Sequence, residues 1–332
     1  MSDGLHAIAA RMVTDGKGIL AMDESNPTCN KRFEALGIDQ TEPKRREYRD
    51  LLVGAPGLSE HISGAILYDE TFHQETSAGS LFPEYLTAAG MLPGIKVDTG
   101  TKTIGDSSEL LTHGLDGLED RLAGYRSLGA RFTKWRAVIS IGDGLPTDGC
   151  ITANAEALGD YAVACQAADL VPIVEPEVMM DGAHTIERCY DVTLSALRAV
   201  FTALADRGVD LQGIVLKPNM VLSGVDAARR AEADQVVVQT LGCLLTAVPE
   251  EVPGVAFLSG GQGDEEATTH LRLLNQQISP APWKLTFSYG RALQRVALNT
   301  WAGDGANTET AREALIERTS ANSRAAVGVA VS

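Results

Sequence analysis

Cysteine is scarce and unpatterned in this chain: five residues, at 29, 150, 165, 189 and 243, with no C-x-x-C among them. That argues against a disulfide framework or a thiolate metal ribbon and leaves reduced thiols acting as buried apolar filler. Cys29 lies in a polar stretch and has the best claim to exposure, but reactive thiols are rare and the filler reading is preferred. Positive charge is also in deficit. The chain carries 28 Lys and Arg against 44 Asp and Glu, a formal net charge of −16, and no basic run. Nucleic acid and anionic membrane are thereby disfavoured as partners, although a cleft can still carry a local positive field for a small anion. No apolar stretch reaches the length of a membrane span and no secretory leader is visible, so a cytoplasmic protein is expected. The six histidines (6, 61, 73, 113, 184 and 270) are scattered, with no H-x-H or H-x-x-x-H, so no metal site is expected.

What the sequence does hold is an ordinary globular composition, 44% hydrophobic and 22% charged, and a repeated pattern. Eight short apolar runs end in charged or small polar residues: 18–23, 64–69, 94–98, 132–136, 171–177, 213–217, 255–259 and 285–288. Helical periodicity follows each, in segments such as 43–53, 83–89, 116–128, 153–168, 184–207, 227–247, 264–278, 290–301 and 308–323. Strand then helix, eight times, is the pattern of an α/β closed (β/α)8 TIM barrel. A doubly wound open sheet is the rival, but neither G-x-G-x-x-G nor a phosphate loop follows the first run; Gly16-Lys17-Gly18 precedes it. The expected organisation is one domain, 1–332, with its barrel core at about 15–305 and a C-terminal helix and tail over about 306–332. A lead-in helix over 3–13 comes first, 24–32 reads as a polar loop, and the small residues from 321 onward read as a mobile tail.

Residues two apart on a strand share a face. Gly94, Lys96 and Asp98 therefore point one way, as do Lys134 and Arg136, Glu175 and Glu177, Val215 and Lys217, and Ala21 and Asp23. If these faces turn inward, the mouth of the barrel gathers three lysines, one arginine and at least three carboxylates. Each charge taken singly is more readily a solvated rim residue. Their concentration in the middle strands weighs against that, and so does Lys217 at the end of the apolar Ile214-Val215-Leu216, where an ammonium is costly to bury unpaired. An amine of ordinary pKa is neutral about once in 2,500 molecules at pH 7. Cationic neighbours and burial can lower that pKa to roughly 7–8 and turn a lysine into a nucleophile that forms an imine with a carbonyl. Charge logic alone leaves open whether Lys217 or Lys134 is that nucleophile. Glu175 and Glu177 need not titrate alike, so one can serve as proton donor. The last two runs continue into Ser259-Gly260-Gly261-Gln262 and Ser288-Tyr289-Gly290-Arg291. Backbone N–H groups, hydroxyls and a guanidinium after the final two barrel strands suit a phosphate.

The segments 17–25, 94–98, 134–136, 171–177 (Val-Pro-Ile-Val-Glu-Pro-Glu), 216–220 (Leu-Lys-Pro-Asn-Met), 257–262 and 285–294 resemble class I fructose-bisphosphate aldolase, in order, from about residue 5 to residue 323. The resemblance implies a barrel assembled as a homotetramer, with no metal and no organic cofactor. It implies Lys217 as the imine-forming lysine, Lys134 as the neighbouring cation, Glu175 as general acid/base, and Asp23 and Glu177 in proton transfer and charge balance. Ser259, Gly260, Gly290 and Arg291 fall on the site for the ketose C1 phosphate, joined here by Ser288 of the same loop. Ser25, Lys96 and Thr28 fall near the other phosphate, and Arg136 near the substrate. The expected reaction is reversible cleavage of fructose 1,6-bisphosphate to dihydroxyacetone phosphate and glyceraldehyde 3-phosphate in glycolysis and gluconeogenesis.

Two departures stand out. The animal and plant enzymes end in a tail tyrosine that exchanges protons with the enamine, whereas the last tyrosine here is Tyr289 and the sequence stops at Ala330-Val331-Ser332. Another group, or water, is expected to take that role. The stretch Asn26-Pro27-Thr28-Cys29-Asn30 also differs from the animal pattern at the Thr28 position. The alternatives are another imine-forming barrel of transaldolase type and a catalytically silent barrel acting as a scaffold. The joint presence of Lys217, Lys134, Glu175 and Asp23 argues against the latter.

Overall fold

The computed structural model describes residues 4–278 and 280–330. Strands are numbered along the chain: β1 (Gly18–Ala21), β2 (Ile62–Leu67), β3 (Leu92–Lys96), β4 (Thr101–Thr103), β5 (Leu110–Thr112), β6 (Phe132–Ile139), β7 (Val171–Val178), β8 (Val215–Leu216), β9 (Gly254–Phe257) and β10 (Lys284–Tyr289). The helices are α1 (Leu5–Met12), α2 (Asn26–Glu34), α3 (Glu42–Val53), α4 (Leu58–His61), α5 (Asp69–Phe72), α6 (Phe82–Ala88), α7 (Leu118–Ser127), α8 (Asp148–Ala167), α9 (Ile186–Asp206), α10 (Ala233–Ala247), α11 (Asp264–Gln277), α12 (Arg291–Trp301) and α13 (Thr308–Ala325). Eight parallel strands close in the order β1-β2-β3-β6-β7-β8-β9-β10, with β10 returning to β1. All eight apolar runs are strands of this barrel. The ribbon β4–β5 is antiparallel and was not expected.

Period-two alternation divides each strand between two cores. Outward-facing Leu20, Ile95, Trp135, Val174, Leu216, Phe257 and Phe287 pack under the helices. Inward-facing Ile19, Ala21, Ile66, Leu92, Phe132, Val171, Ile173, Val215 and Ala256 fill the lower barrel, and Ile8, Ala9 and Met12 of α1 with Val13 close it from below. Phe132 is the largest of these, and its ring fits because Gly94 faces it. A Cβ at residue 94 would lie 2.2 Å from that ring. Each buried Val, Leu, Ile, Phe or Met among them contributes about 1.5–3 kcal/mol. The apolar filling ends where Asp23, Lys96, Lys134, Glu175 and Lys217 begin, so one alternation sets both the plug and the mouth.

Several local expectations are corrected. Residues 24–32 are not a loop: Ser25 precedes α2 and Pro27 sits in its first turn, where a missing N–H is harmless. Helix α10 begins at Ala233 rather than 227, because the Gln235 side chain caps the backbone N–H of Glu232 at 3.1 Å. Helix α8 begins earlier than 153, at Asp148, capped by the Thr147 hydroxyl. The small residues 321–325 are the last turn of α13, with Ala321, Asn322 and Ala325 buried, because small side chains allow close packing. Residues 331–332 and Asp3 lie outside the described residues. Cys29 is buried on α2, and burial pushes its thiol up, against a reactive role.

Candidate active site

The charged ends of β1, β3, β6, β7 and β8 converge. Lys134 Nζ stands 2.6 Å from Asp23 Oδ2 and 3.5 Å from Glu175 Oε2, and Lys217 Nζ stands 3.0 Å from Glu175 Oε1. Arg136 Nε donates to Glu177 Oε2, and Lys96 Nζ donates to Asp98 Oδ1 and, at 2.7 Å, to the Asp98 carbonyl. Strand register explains the arrangement, since Lys96 pairs laterally with Lys134 and Arg136 with Glu175. Lys217 and Glu175 are each 3% exposed and Lys134 is 4% exposed. Burial so complete is tolerated only because each ion is paired.

The mouth therefore holds four cations (Lys96, Lys134, Arg136 and Lys217) and four carboxylates (Asp23, Asp98, Glu175 and Glu177) in contact. Asp98, outside the candidate set, is the fourth carboxylate. Burial pushes the Asp23 carboxyl up, but the ammonium groups of Lys134, Lys217 and Lys96 outweigh it and hold it at about 2. Burial likewise pushes Lys134 down, and Asp23, Glu175 and Asp98 outweigh it, holding that amine well above its ordinary range. Lys134 is a fixed cation. Arg136 is held charged in the same way, chiefly by Glu177 against the cost of burial. Lys217 and Lys134 share Glu175 as a counter-ion, one on each carboxylate oxygen.

The two glycine-rich loops follow β9 and β10. A Cβ at Gly260 would come within 3.0 Å of Glu177 Oε1, and one at Gly261, where φ is +77°, within 2.4 Å of the Met180 side chain. The first loop thus lies directly against the carboxylate row. Ser288 is buried on β10 with its hydroxyl unpartnered; Gly290 precedes α12, and Arg291 is its exposed first residue. Among the described residues Glu175 Oε2 has the Lys134 ammonium as its ionic partner, at 3.5 Å, and no hydrogen bond. The Ser25 hydroxyl lies 3.1 Å from Thr28 Oγ1 on the first turn of α2, with Thr28 exposed. Among the described residues no hydrogen bond joins this pair to Lys96.

Sequence reasoning missed the support behind Asp23. The buried Glu24 carboxylate pairs with Arg32 and, at 2.6 Å, with Arg49, which is 2% exposed; Arg49 also donates to the Glu24 carbonyl at 3.1 Å. Burial pushes Glu24 up, and Arg49 and Arg32 outweigh it. The available signal was Arg45, Tyr48, Arg49 and Leu52 lying along one face of α3. Asn219 was missed as well: its Oδ1 accepts from the Val178 N–H at 3.0 Å, tying the chain beyond β8 to the end of β7. Among the described residues no group of three or more His, Cys, Asp or Glu is placed to hold a metal ion, and no helix is long and apolar enough to cross a membrane.

A parallel barrel with buried amines, carboxylates and two glycine-rich loops at one mouth is equipped for carbonyl chemistry on a phosphorylated compound. The family model for fructose-bisphosphate aldolase class-I matches residues 4–331, and the chain belongs to that family. It is 51% identical over 322 residues to a probable fructose-bisphosphate aldolase class 1 of Xanthomonas axonopodis pv. citri, covering 96% of both chains. It is 48% identical to the cytosolic fructose-bisphosphate aldolase 4 of Arabidopsis thaliana, covering 98% of this chain and 83% of that one. A crystal structure of the Plasmodium falciparum aldolase, in complex with TRAP and a small-molecule inhibitor, superposes with a TM-score of 0.96 at 47% identity, covering 99% of this chain and 95% of that one.

Proposed function

We propose that the chain cleaves fructose 1,6-bisphosphate reversibly to dihydroxyacetone phosphate and glyceraldehyde 3-phosphate through an imine on Lys217. The carrying observation is the chain of contacts Asp23–Lys134–Glu175–Lys217, in which one carboxylate touches both amines. Lys134 answers to two carboxylates and stays charged, so it is not the nucleophile. Lys217 has Glu175 alone, which can accept its proton at 3.0 Å. The freed amine attacks C2 of the ketose and gives a carbinolamine. Glu175 returns the proton to the departing hydroxyl, water leaves, and the iminium forms.

The iminium then withdraws the C3–C4 electron pair while the C4 hydroxyl loses its proton, giving aldehyde and enamine. Asp23, held ionised at about 2, is a poor proton store but a strong acceptor. In this reading it orients the C4 hydroxyl and anchors Lys134, and the Glu175/Glu177 pair carries the proton. Gly260 and Gly290, with Ser259, Ser288 and Arg291, receive the C1 phosphate; Ser25, Lys96 and Thr28 lie toward the other, with Arg136 between. The chemistry calls for no cofactor beyond the imine, in keeping with class I chemistry. A cytosolic address and a homotetramer are proposed with it. Exposed Val238 and Leu245, two turns apart on α10, are apolar surface that contact between copies would cover.

The test is cleavage of fructose 1,6-bisphosphate, monitored through its triose products after exhaustive chelation. Full activity in the wild type and none in a folded Lys217→Ala are expected. Activity lost with the metal, or kept by Lys217→Ala, contradicts the proposal.

A further inference from the structure

We infer that Arg318, on the outer helix α13, is a positioning residue that sets the spacing of the two loops receiving the C1 phosphate. Pairing between β9 and β10 ends at Phe257 and Phe287, before Ser259 and before Gly290. Beyond those points β9 and β10 no longer pair with each other, although β10 stays paired with β1 through Tyr289. Each loop runs directly into a helix, α11 from Asp264 and α12 from Arg291, so the first turns of those helices fix its end.

Arg318 is 7% exposed and joins both first turns. Its Nη2 donates to the Asp264 carbonyl and to Thr268 Oγ1, each at 2.7 Å, and its Nη1 donates to Glu265. Its Nε donates to the Ala292 carbonyl at 3.3 Å, one residue past Arg291. A planar guanidinium offers five N–H donors on three atoms in a fixed fork, whereas an ammonium offers three on a single atom. The brace is itself held. Asn322 Nδ2 donates to the Arg318 carbonyl at 2.9 Å, and Asn322 Oδ1 accepts from Thr268 Oγ1 at 3.0 Å. No atom of this group belongs to the carboxylate–lysine row, so its effect is on where the phosphate sits.

The inference rests on the reading of residues 259–260 and 290–291 as the C1 phosphate site, and the experiment separates the two. Arg318→Met, Arg318→Lys and Arg291→Ala are compared by trapping with cyanoborohydride, using dihydroxyacetone phosphate and, in parallel, dihydroxyacetone without phosphate. Both Arg318 variants are expected to weaken half-saturation by dihydroxyacetone phosphate about tenfold, as expected for a site misplaced by a fraction of an ångström, with dihydroxyacetone trapping unchanged. If Arg318→Met does not fold, Arg318→Lys, which keeps the stem and charge, carries the test. Wild-type half-saturation in the Arg318 variants beside a weakened Arg291→Ala overturns the brace and leaves the phosphate site standing. Wild-type behaviour in all three overturns the phosphate-site reading. Slowing of both ketones alike shows a general structural role and also overturns the inference.

Discussion

Replacing Asp23 with Asn removes the carboxylate that sits 2.6 Å from Lys134 and keeps the volume of the side chain. Asp23 is held at about 2 in the folded protein against an ordinary carboxyl value of 3.8, which corresponds to roughly 2–3 kcal/mol of stability through linkage. The sign follows from the depressed folded pKa. The contribution is fully present above the unfolded value of 3.8 and is lost as pH falls toward about 2. Urea unfolding of wild type and Asp23→Asn should therefore differ by about that amount at pH 7 and pH 5, and by about half of it at pH 3. Turnover of fructose 1,6-bisphosphate should fall about 100-fold or more while imine trapping persists, because the C4 hydroxyl loses its acceptor. A stability difference that is flat from pH 5 to pH 3, or that grows in acid, would refute the electrostatic reasoning.

Lys134→Met should destabilise by about 3–5 kcal/mol at neutral pH, since Asp23 and Glu175 lose a buried counter-ion, and should slow imine formation in stopped-flow trapping. Glu175→Gln should keep ketose binding yet lower the rate of carbinolamine dehydration by about 10²–10⁴, seen as a rapid-quench lag before triose release. Arg291→Ala should weaken binding of dihydroxyacetone phosphate by about 1.5–3 kcal/mol in calorimetry, with no change in trapping of dihydroxyacetone. Unaltered affinity in that variant would remove Arg291 from the phosphate site.

The barrel was legible because one physical pattern recurs eight times, an apolar run ending in charged or small polar residues, and in β1, β3, β6, β7 and β8 the inward residues change from apolar to Lys, Asp, Glu or Arg. The place of Lys217 and Glu175 at the mouth was legible for the same reason, since a lysine closing Ile214-Val215-Leu216 is costly to bury without a partner. Helix α2 was not, because its sequence is almost wholly polar and only Cys29 and Phe33 are buried along it. The ribbon β4–β5 has three-residue strands, and those of β4 are all exposed, so no apolar alternation marks it. Arg49 and Arg318 read as solvated helix residues, and their roles depend on Glu24, Asp264 and Ala292, which are distant along the chain. The face of α3 marks Arg49 as inward-facing, but the identity of a partner so distant along the chain has no local sequence signal. The offset of the cations by four interleaved carboxylates became visible only with strand register.

Cleavage through an imine requires that Lys217 carry the covalent intermediate. Borohydride reduction in the presence of dihydroxyacetone phosphate, followed by peptide mass mapping, tests it most directly. A single adduct on Lys217 is expected, with Lys134 unmodified and activity lost in step with labelling. An adduct on Lys134, or an unmodified Lys217 in protein that has lost its activity, would contradict it.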